Sequence, residues 1–250
     1  MNQPRQPILN VPPVVIAVLI ALVAVHGARM LLSDYWNRWL LFVFGFVPAR
    51  YDSSNALTEG LLPGGTGADF WSFFTYALLH ANLAHLGFNA IWLLAFASPV
   101  ARRFGTTRFL LFFAVTVAAG AVGYLFVHAG SYLPMVGASA GISGMMGAAA
   151  RFVFEPGGSL DSWRVNPTMA DHVPAAPLLV ALRRRRVLSF LLVWFALNFL
   201  FGFVSVPGVS AGQSVAWEAH LGGFLAGLLL FDAFDPLLKA KNADDQQDRD

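Results

Sequence analysis

Long runs of apolar residues dominate the sequence and limit the solvent in which the chain can fold. Of the 250 residues, 57% are hydrophobic and 12% are charged, and the mean hydropathy is +0.61. A soluble domain carries about 25% charged residues. A chain of this size has too little interior to hide so much apolar surface, so lipid must be the solvent for much of it. We therefore predict an integral, multi-pass membrane protein.

Six apolar segments come close to the roughly 20 residues that an α-helix needs to cross a bilayer. The second segment is too long for one span, and we divide it at His80–Asn82, with an interfacial lead-in before the division. A cleaved signal peptide with the apolar core Val14–Val25 is an alternative for the first segment. The predicted fold class is all-α: a polytopic bundle of six transmembrane helices, the fourth short and central. The spans fall at 12–32, within 70–100, and at 109–129, 139–154, 187–206 and 215–234.

The segments between and after the spans complete the predicted organisation. Trp39–Ala49 has too few apolar residues to span and is predicted to lie in the membrane interface, with Trp36 and Trp39 as anchors. Residues 235–250 form a charged tail that we predict to be disordered. We find no internal repeat, so residues 1–250 are predicted to form a single membrane domain.

The distribution of positive charge orients the predicted bundle. Loops rich in Lys and Arg face the cytoplasm in membrane proteins. Of the sixteen Lys and Arg residues, thirteen fall on one side of the predicted topology, whereas Arg29, Arg38 and Arg50 fall on the other. Both termini are therefore predicted to be cytoplasmic.

Metal, cofactor and nucleic-acid functions find little support in the sequence. The chain has no cysteine, which excludes disulfides, thiolate chemistry and Cys-ligated metals. His80 and His85 are five residues apart and do not share one helix face, and there is no H-E-x-x-H motif. The basic run Arg183–Arg186 is most simply a topology anchor in contact with anionic lipid. We expect no metal, no cofactor and no nucleic-acid partner.

Polar side chains inside predicted spans are candidate functional residues, because such groups are costly in lipid. The second, fourth and sixth spans all enter from the outer side. Their polar residues therefore gather at one depth in the outer half of the membrane. The five that stand out are His80, His85, Asn89, Ser139 and His220.

These residue types suit acyl-transfer chemistry. The Ser139 hydroxyl needs a base to become a nucleophile, and the neutral imidazole of His220 can take its proton and later protonate a leaving amine. Asn89 follows His85 by four residues, so both share a helix face. With the Ser139 backbone N–H they could form an oxyanion hole. Glu218 lies two residues from His220 and points away on a helix, so a Ser–His dyad is preferred to a triad.

Each of these features also has a purely structural explanation. Gly137–Gly141 is a GxxxG packing motif, and Gly223 and Gly227 have the same spacing. Close packing of the fourth and sixth spans is also what would bring the serine to the histidine, so both interpretations stand. Asn89 could hold helices together, and His80 could hydrogen-bond a loop.

Three motifs fall on three of the predicted spans in order. The second span carries His80–Asn89 (HANLAHLGFN), with the pattern H-x4-H-x3-N. The fourth begins with Val136-Gly137-Ala138-Ser139 before a helix of small residues, and the sixth carries Ala219–Gly227 (AHLGGFLAG). Each motif is weak alone. Together, over about residues 69–234, they resemble the motifs of the rhomboid family of intramembrane proteases in its bacterial six-helix form.

The resemblance implies a serine-type endopeptidase that cleaves transmembrane proteins near the outer membrane boundary with a Ser–His dyad. By matching position, Ser139 would be the nucleophile and His220 the base. His85, Asn89 and the Ser139 amide would form the oxyanion hole. The implied partners are transmembrane substrates and the lipid bilayer, and the implied location is the plasma membrane, which is the inner membrane of a bacterium.

The resemblance also implies a route by which substrate reaches the site. Phe88 would line this route on one side, and the fifth span would supply the other wall. The loop Pro207–Ser214 would cap the site and move to admit substrate. The residues of the second wall would be Trp194, Phe195 and Asn198.

Two positions depart from the family pattern. Glycine usually follows the serine, but Ala140 stands here, and its methyl group could crowd the helix packing or shift the serine amide. Position 143 is often aromatic and stacks on the histidine, but Ser143 stands here and leaves His220 less held. Ala140 keeps open the alternative function, a rhomboid-like pseudoenzyme that binds membrane proteins without cleavage. A small transporter would require internal repeats, and we find none.

Overall fold

The chain folds into a bundle of α-helices. The computed structural model describes residues 11–52, 62–160, 170–203 and 215–238, and no β-strand occurs within these ranges. The all-α class predicted from the sequence is confirmed. The helices are α1 (Pro13–Met30), α2 (Asp34–Phe44), α3 (Gly65–Thr75), α4 (Leu83–Trp92), α5 (Ser98–Phe104), α6 (Thr106–His128), α7 (Ser139–Ala149), α8 (Leu178–Arg183), α9 (Arg185–Phe203) and α10 (Trp217–Phe234).

Five helical stretches in these ranges are long and apolar enough to cross a membrane. Four of them contain α1, α6, α9 and α10, and the fifth is Leu83–Phe104, in which a π-helical turn joins α4 to α5. The break predicted at His80–Asn82 marks the start of this fifth stretch, where Asn82 caps α4 by accepting a hydrogen bond from the His85 N–H at 2.8 Å.

The predicted count of six spans is not confirmed, because α7 is short. It has 11 residues, which is about 16 Å at the α-helical rise. The hydrocarbon core of a bilayer is about 30 Å thick. The fourth predicted span ended near Phe154, but the chain leaves the helix after Ala149 and continues as turns to residue 160.

α7 lies in the centre of the bundle. All of its residues except Ser139 are buried. A Cβ added at Gly223 of α10 would collide with the Ala140 carbonyl, and one added at Gly227 would collide with the Gly144 carbonyl. The two glycines therefore permit the backbones of α7 and α10 to come into direct contact, which holds the first turn of α7 against α10.

The interfacial segment predicted at Trp39–Ala49 overlaps the amphipathic helix α2. The helix begins five residues earlier, because Asp34 in its first turn complements the helix dipole, and it ends before Gly45. Trp36 and Trp39, the predicted anchors, both lie on α2 with exposed rings.

Two of the arginines that the sequence places on the predicted cytoplasmic side are buried and form ion pairs. Arg103 of α5 forms two hydrogen bonds with the Asp235 carboxylate, at 3.0 and 2.8 Å, and neither side chain is exposed. Arg151 lies 2.7 Å from Asp232 and also donates to the Ala176 carbonyl. These contacts join the ends of α5, α7 and α10 at the face of the bundle remote from Ser139.

Some predictions concern residues that the structure does not describe. The loop Pro207–Ser214 and residues 239–250 of the tail lie outside the described ranges. The single domain over 1–250, the signal-peptide alternative and the cytoplasmic location of the termini stay predictions.

Candidate active site

The loop that leads into α7 is held from two sides. Phe46 and Met135 exchange backbone hydrogen bonds at 3.0 and 2.8 Å, and the Gly137 N–H donates to the Tyr76 carbonyl at 3.0 Å. Gly137 has φ +125°, a conformation that glycine adopts without strain. The turn at Gly137 then places Ser139 as the first residue of α7.

Ser139 and His220 form a direct hydrogen bond. The distance between Ser139 Oγ and His220 Nε2 is 2.7 Å, although 81 residues separate them in the sequence. Ser139 and His220 are both half-buried residues. The contact is possible because α7 and α10 pack against each other through Gly223 and Gly227. The proximity that we predicted for the serine and the histidine is present in the structure.

The other imidazole nitrogen of His220 contacts Asn198 of α9. The distance between His220 Nδ1 and Asn198 Oδ1 is 2.6 Å. The Asn198 Nδ2 group donates to the Trp194 carbonyl at 2.8 Å, one turn earlier on α9. Glu218 was not expected to complete a catalytic triad, and its Oε1 atom lies 3.1 Å from His128 Nε2.

His85 lies on the opposite side of the serine loop. The Ala81 N–H donates to His85 Nδ1 at 3.4 Å, which leaves the proton of a neutral ring on Nε2. A Cβ added at Gly137 would be 2.8 Å from His85 Nε2 and 3.6 Å from Ser139 Oγ. His85 Nε2 and the Ser139 hydroxyl therefore both lie close to Gly137, and the oxyanion role of His85 stays a prediction.

The two other expected oxyanion donors are the Ser139 N–H and the Asn89 side-chain amide. The Ser139 N–H belongs to the first turn of α7, where backbone N–H groups have no partner within the helix. Asn89 is buried, and its Nδ2 group donates to the His85 carbonyl at 2.9 Å. Its Oδ1 atom has no hydrogen-bond partner among the described residues. The oxyanion role of Asn89 stays a prediction.

The residues expected to line the substrate route occupy different environments. Phe88 is exposed on α4, whereas Trp194 is buried and stacks on Phe224 of α10 with ring centroids 4.3 Å apart. Phe195 packs edge-on against Trp194 at 4.9 Å. Of the residues in α9's membrane-spanning stretch, 17% are buried, against 28 to 39% in the other four stretches. The large exposed surface of α9 suits the predicted route, whose residues stay predictions.

His80 is buried beside the site. Its ring is edge-on to His85 with centroids 5.1 Å apart, and neither ring nitrogen has a hydrogen-bond partner among the described residues. The alternative in which His80 hydrogen-bonds a loop stays a prediction, and the His80 carbonyl accepts a hydrogen bond from Arg29 at 2.8 Å. Within the described residues, no three His or acidic groups are arranged to hold a metal.

Sequence reasoning missed the contact between Asn198 and His220. It placed Asn198 on the substrate route and left it out of the polar residues considered for chemistry. The signal was present, since Asn198 is an asparagine in the middle of a predicted span. What was missing was the rotation of α9, which spacing within one helix does not reveal.

Known proteins resemble this chain at the level of the family. The family model described as "Rhomboid domain" matches residues 67–234, close to the range 69–234 predicted from the motifs. The rhomboid protease GluP of Bacillus subtilis (strain 168) is 38% identical over 80 residues, which are 32% of this chain and 15% of that protein.

Two further relatives align over longer stretches. The rhomboid protease GlpG of Yersinia pseudotuberculosis is 21% identical over 218 residues, 87% of this chain and 61% of that protein. The GlpG of Pectobacterium atrosepticum is 25% identical over 166 residues, 66% of this chain and 49% of that protein. The chain thus spans less than two thirds of the length of each. The family match, however, covers more than half of this chain, and the chain belongs to the rhomboid family.

Proposed function

We propose that this protein is an intramembrane serine endopeptidase that hydrolyses peptide bonds of transmembrane proteins near the outer membrane boundary. The observation that carries the proposal is the 2.7 Å contact between Ser139 Oγ and His220 Nε2. This geometry lets the imidazole accept the hydroxyl proton directly. The names of the relatives, which are rhomboid proteases, support the same reaction class.

In the proposed reaction Ser139 Oγ attacks the carbonyl carbon of the scissile bond while His220 Nε2 takes its proton. The carbonyl oxygen becomes an oxyanion, which accepts hydrogen bonds from the Ser139 N–H and the His85 Nε2–H. The imidazolium of His220 then protonates the leaving amine, and an acyl-enzyme remains. Water, deprotonated by the same histidine, hydrolyses the ester and restores the serine.

The substrate class follows from the setting of the site. Ser139 opens a buried helix in a bundle of apolar spans, so a substrate must come from lipid and still meet water at the serine. An intact helix hides its peptide bonds, so we propose single-span proteins whose helix is weakened near the outer boundary by small or helix-breaking residues. Exposed Phe88 and the large exposed surface of α9 support a route between α4 and α9.

The proposed location is the inner membrane of a bacterium, with both termini in the cytoplasm. The support is the charge asymmetry of the loops, thirteen of sixteen Lys and Arg residues on one side. Fusions of a folding-dependent fluorescent protein and of a periplasmic phosphatase to the C-terminus test this orientation. Fluorescence without phosphatase activity is expected, and the opposite pattern would contradict it.

The function is tested with the purified full chain in liposomes that also contain one of several tagged single-span proteins. We expect the wild type to cut at least one of them near its outer boundary, as located by mass spectrometry of the fragments, and Ser139→Ala to cut none. Ser143→Ala is the matched control, because Ser143 is a buried serine one turn later on α7, and the hydrogen bonds described for the His220 ring are with Ser139 and Asn198. It should cut like the wild type.

Equal cleavage by the wild type and Ser139→Ala would overturn the proposal. Binding of the tagged proteins without any cleavage would favour the pseudoenzyme, the alternative that Ala140 kept open. The buried methyl of Ala140 leaves the serine within hydrogen-bond distance of His220, which supports the enzyme over that alternative.

A further inference from the structure

We propose that Asn198 is a positioning residue for the reaction: its side-chain oxygen holds His220 in the tautomer that can take the proton of Ser139. This inference rests on the proposed roles of Ser139 and His220. In this role Asn198 does not line the substrate route. It takes the position next to the histidine that a carboxylate occupies in a catalytic triad.

The orientation of the Asn198 amide follows from its two contacts. The end of the amide that faces the Trp194 carbonyl, at 2.8 Å, must be the NH₂ group, because two oxygens at that distance would repel. The other end is then Oδ1, and it lies 2.6 Å from His220 Nδ1. An amide oxygen is an acceptor only, so His220 Nδ1 must carry the proton.

This proton assignment sets the chemistry of the other ring nitrogen. A neutral imidazole has one N–H group, so a protonated Nδ1 leaves a lone pair on Nε2. Nε2 is the atom that lies 2.7 Å from Ser139 Oγ. With the opposite tautomer the Nε2–H would point at the serine oxygen, and the histidine could not accept a proton. Asn198 therefore selects the reactive tautomer and holds the ring plane.

The packing of α9 on α10 places Asn198 opposite His220. The helices run antiparallel, and Trp194 stacks on Phe224 one turn away from the Asn198–His220 pair. In the other direction, a Cβ at Gly202 would lie 2.5 Å from the Trp217 ring. Three successive contacts thus fix the register of the two helices, and the asparagine occupies the middle one.

Other groups that could hold the imidazole are engaged elsewhere or absent among the described residues. Glu218, two residues from His220, pairs with His128 at 3.1 Å. No aromatic ring of the described chain stacks on His220, and Ser143 is too small to do so. Within the described part of the chain, the His220 ring forms side-chain hydrogen bonds with Ser139 at Nε2 and with Asn198 at Nδ1.

Two substitutions separate positioning from mere packing. Asn198→Leu has a similar size but no acceptor, and we expect kcat to fall by about tenfold or more while KM stays within about twofold. Asn198→Asp keeps an acceptor next to Nδ1, and we expect it to recover much of the lost kcat. It should also move the acidic limb of the pH–rate profile to higher pH, because a carboxylate stabilises the imidazolium. The control is Leu188→Ala, an exposed leucine ten residues earlier on α9 that should leave kcat unchanged.

The tautomer itself can be observed without any turnover. In full-length protein labelled with ¹⁵N-histidine, the His220 resonances are assigned by their loss in His220→Gln. We expect the wild type to show a protonated Nδ1 and an unprotonated Nε2, and Asn198→Leu to show an increased population of the Nε2–H form. A merely structural role would lower stability in the Leu and Asp variants alike and would move neither the tautomer nor the pH profile.

The outcomes distinguish this inference from the proposed function. If the wild type cuts substrate and Asn198→Leu keeps both its kcat and its tautomer, the positioning role is wrong and the protease assignment stands. A wild type with protonated Nε2 also overturns the inference, whatever the activity. A third outcome is a wild type that cuts nothing and a His220 tautomer that differs between the wild type and Asn198→Leu. In that case the hydrogen bond is as inferred and the protease assignment fails.

Discussion

The methyl group of Ala140 lies directly against Gly120 of α6. A Cβ added at Gly120 would collide with this methyl, and it would also lie 2.9 Å from the Ala219 carbonyl and 3.1 Å from the Tyr76 hydroxyl. Helices α6, α7 and α10 therefore meet one residue after Ser139. The departure from the family pattern at position 140 is accommodated because residue 120 has no side chain.

We expect Gly120→Ala to destabilise the bundle and to slow catalysis. The added Cβ must displace the first turn of α7, and overpacking of this kind costs about 1–3 kcal/mol. The unfolding free energy in mixed detergent micelles measures the first effect, and kcat on a tagged transmembrane substrate measures the second.

Two further variants decide whether the Ala140 contact is the cause. Gly27→Ala is the matched control, because a Cβ at this glycine of α1 has no neighbour within 4 Å. The double variant Gly120→Ala with Ala140→Gly exchanges the two residues and should recover part of the stability and of kcat. Equal losses in the single and double variants would show that the Ala140 methyl is not responsible.

The buried pair of Arg103 and Asp235 should contribute strongly to stability. Asp235→Asn leaves a guanidinium without its charged partner in a site where neither side chain is exposed. Breaking a buried pair from one side costs about 3–5 kcal/mol. The unfolding free energy should fall by this amount, while Asp34→Asn, the control at an exposed position in the first turn of α2, should lower it by about 1 kcal/mol or less. A small effect at both positions would contradict the assignment.

Acidification should destabilise the protein partly through His80. Burial, reinforced by His85, His26 and Arg29 nearby, lowers the pKa of His80 from 6.5 to about 3. The unfolded chain therefore binds a proton that the folded chain excludes, so this contribution is complete above pH 6.5 and is lost progressively as the pH falls toward 3. Unfolding of His80→Phe should depend less on pH than that of the wild type between pH 6.5 and about 4.5. Parallel pH curves for the two proteins would show that His80 does not titrate in this way.

His85 should affect turnover more than substrate binding. His85→Phe keeps a ring of similar size against Gly137 but removes the Nε2–H group, the proposed oxyanion donor. Loss of one oxyanion donor typically lowers kcat by about 100-fold. We expect this fall with KM nearly unchanged, and a kcat equal to that of the wild type would remove His85 from the oxyanion hole.

Much of the fold was predictable because each span carries its own signal. Apolar length identified α1, α6, α9 and α10 from the sequence alone. Apolar length overestimated the length of α7. Its small residues predicted a membrane span to residue 154, but the helix ends at Ala149. A short helix can be that apolar because neighbouring helices, rather than lipid, surround it.

The candidate site was predictable where a motif lies within one helix and less so where two helices must be placed relative to each other. The pairing of Ser139 with His220 was expected from the depth of each residue in its span. The contact of Asn198 with His220 and that of Ala140 with Gly120 were not, because both depend on helix rotation. That rotation is set by side chains packed between helices, and no spacing in the sequence records it.

The most direct test of the central claim is covalent labelling of the purified protein with a fluorophosphonate. This reagent reacts with a serine hydroxyl activated by an adjacent base. We predict labelling of the wild type at Ser139, located by peptide mass spectrometry, and loss of that labelling in His220→Ala. Failure of Ser139 to react in folded protein, or equal labelling with and without His220, would contradict the account.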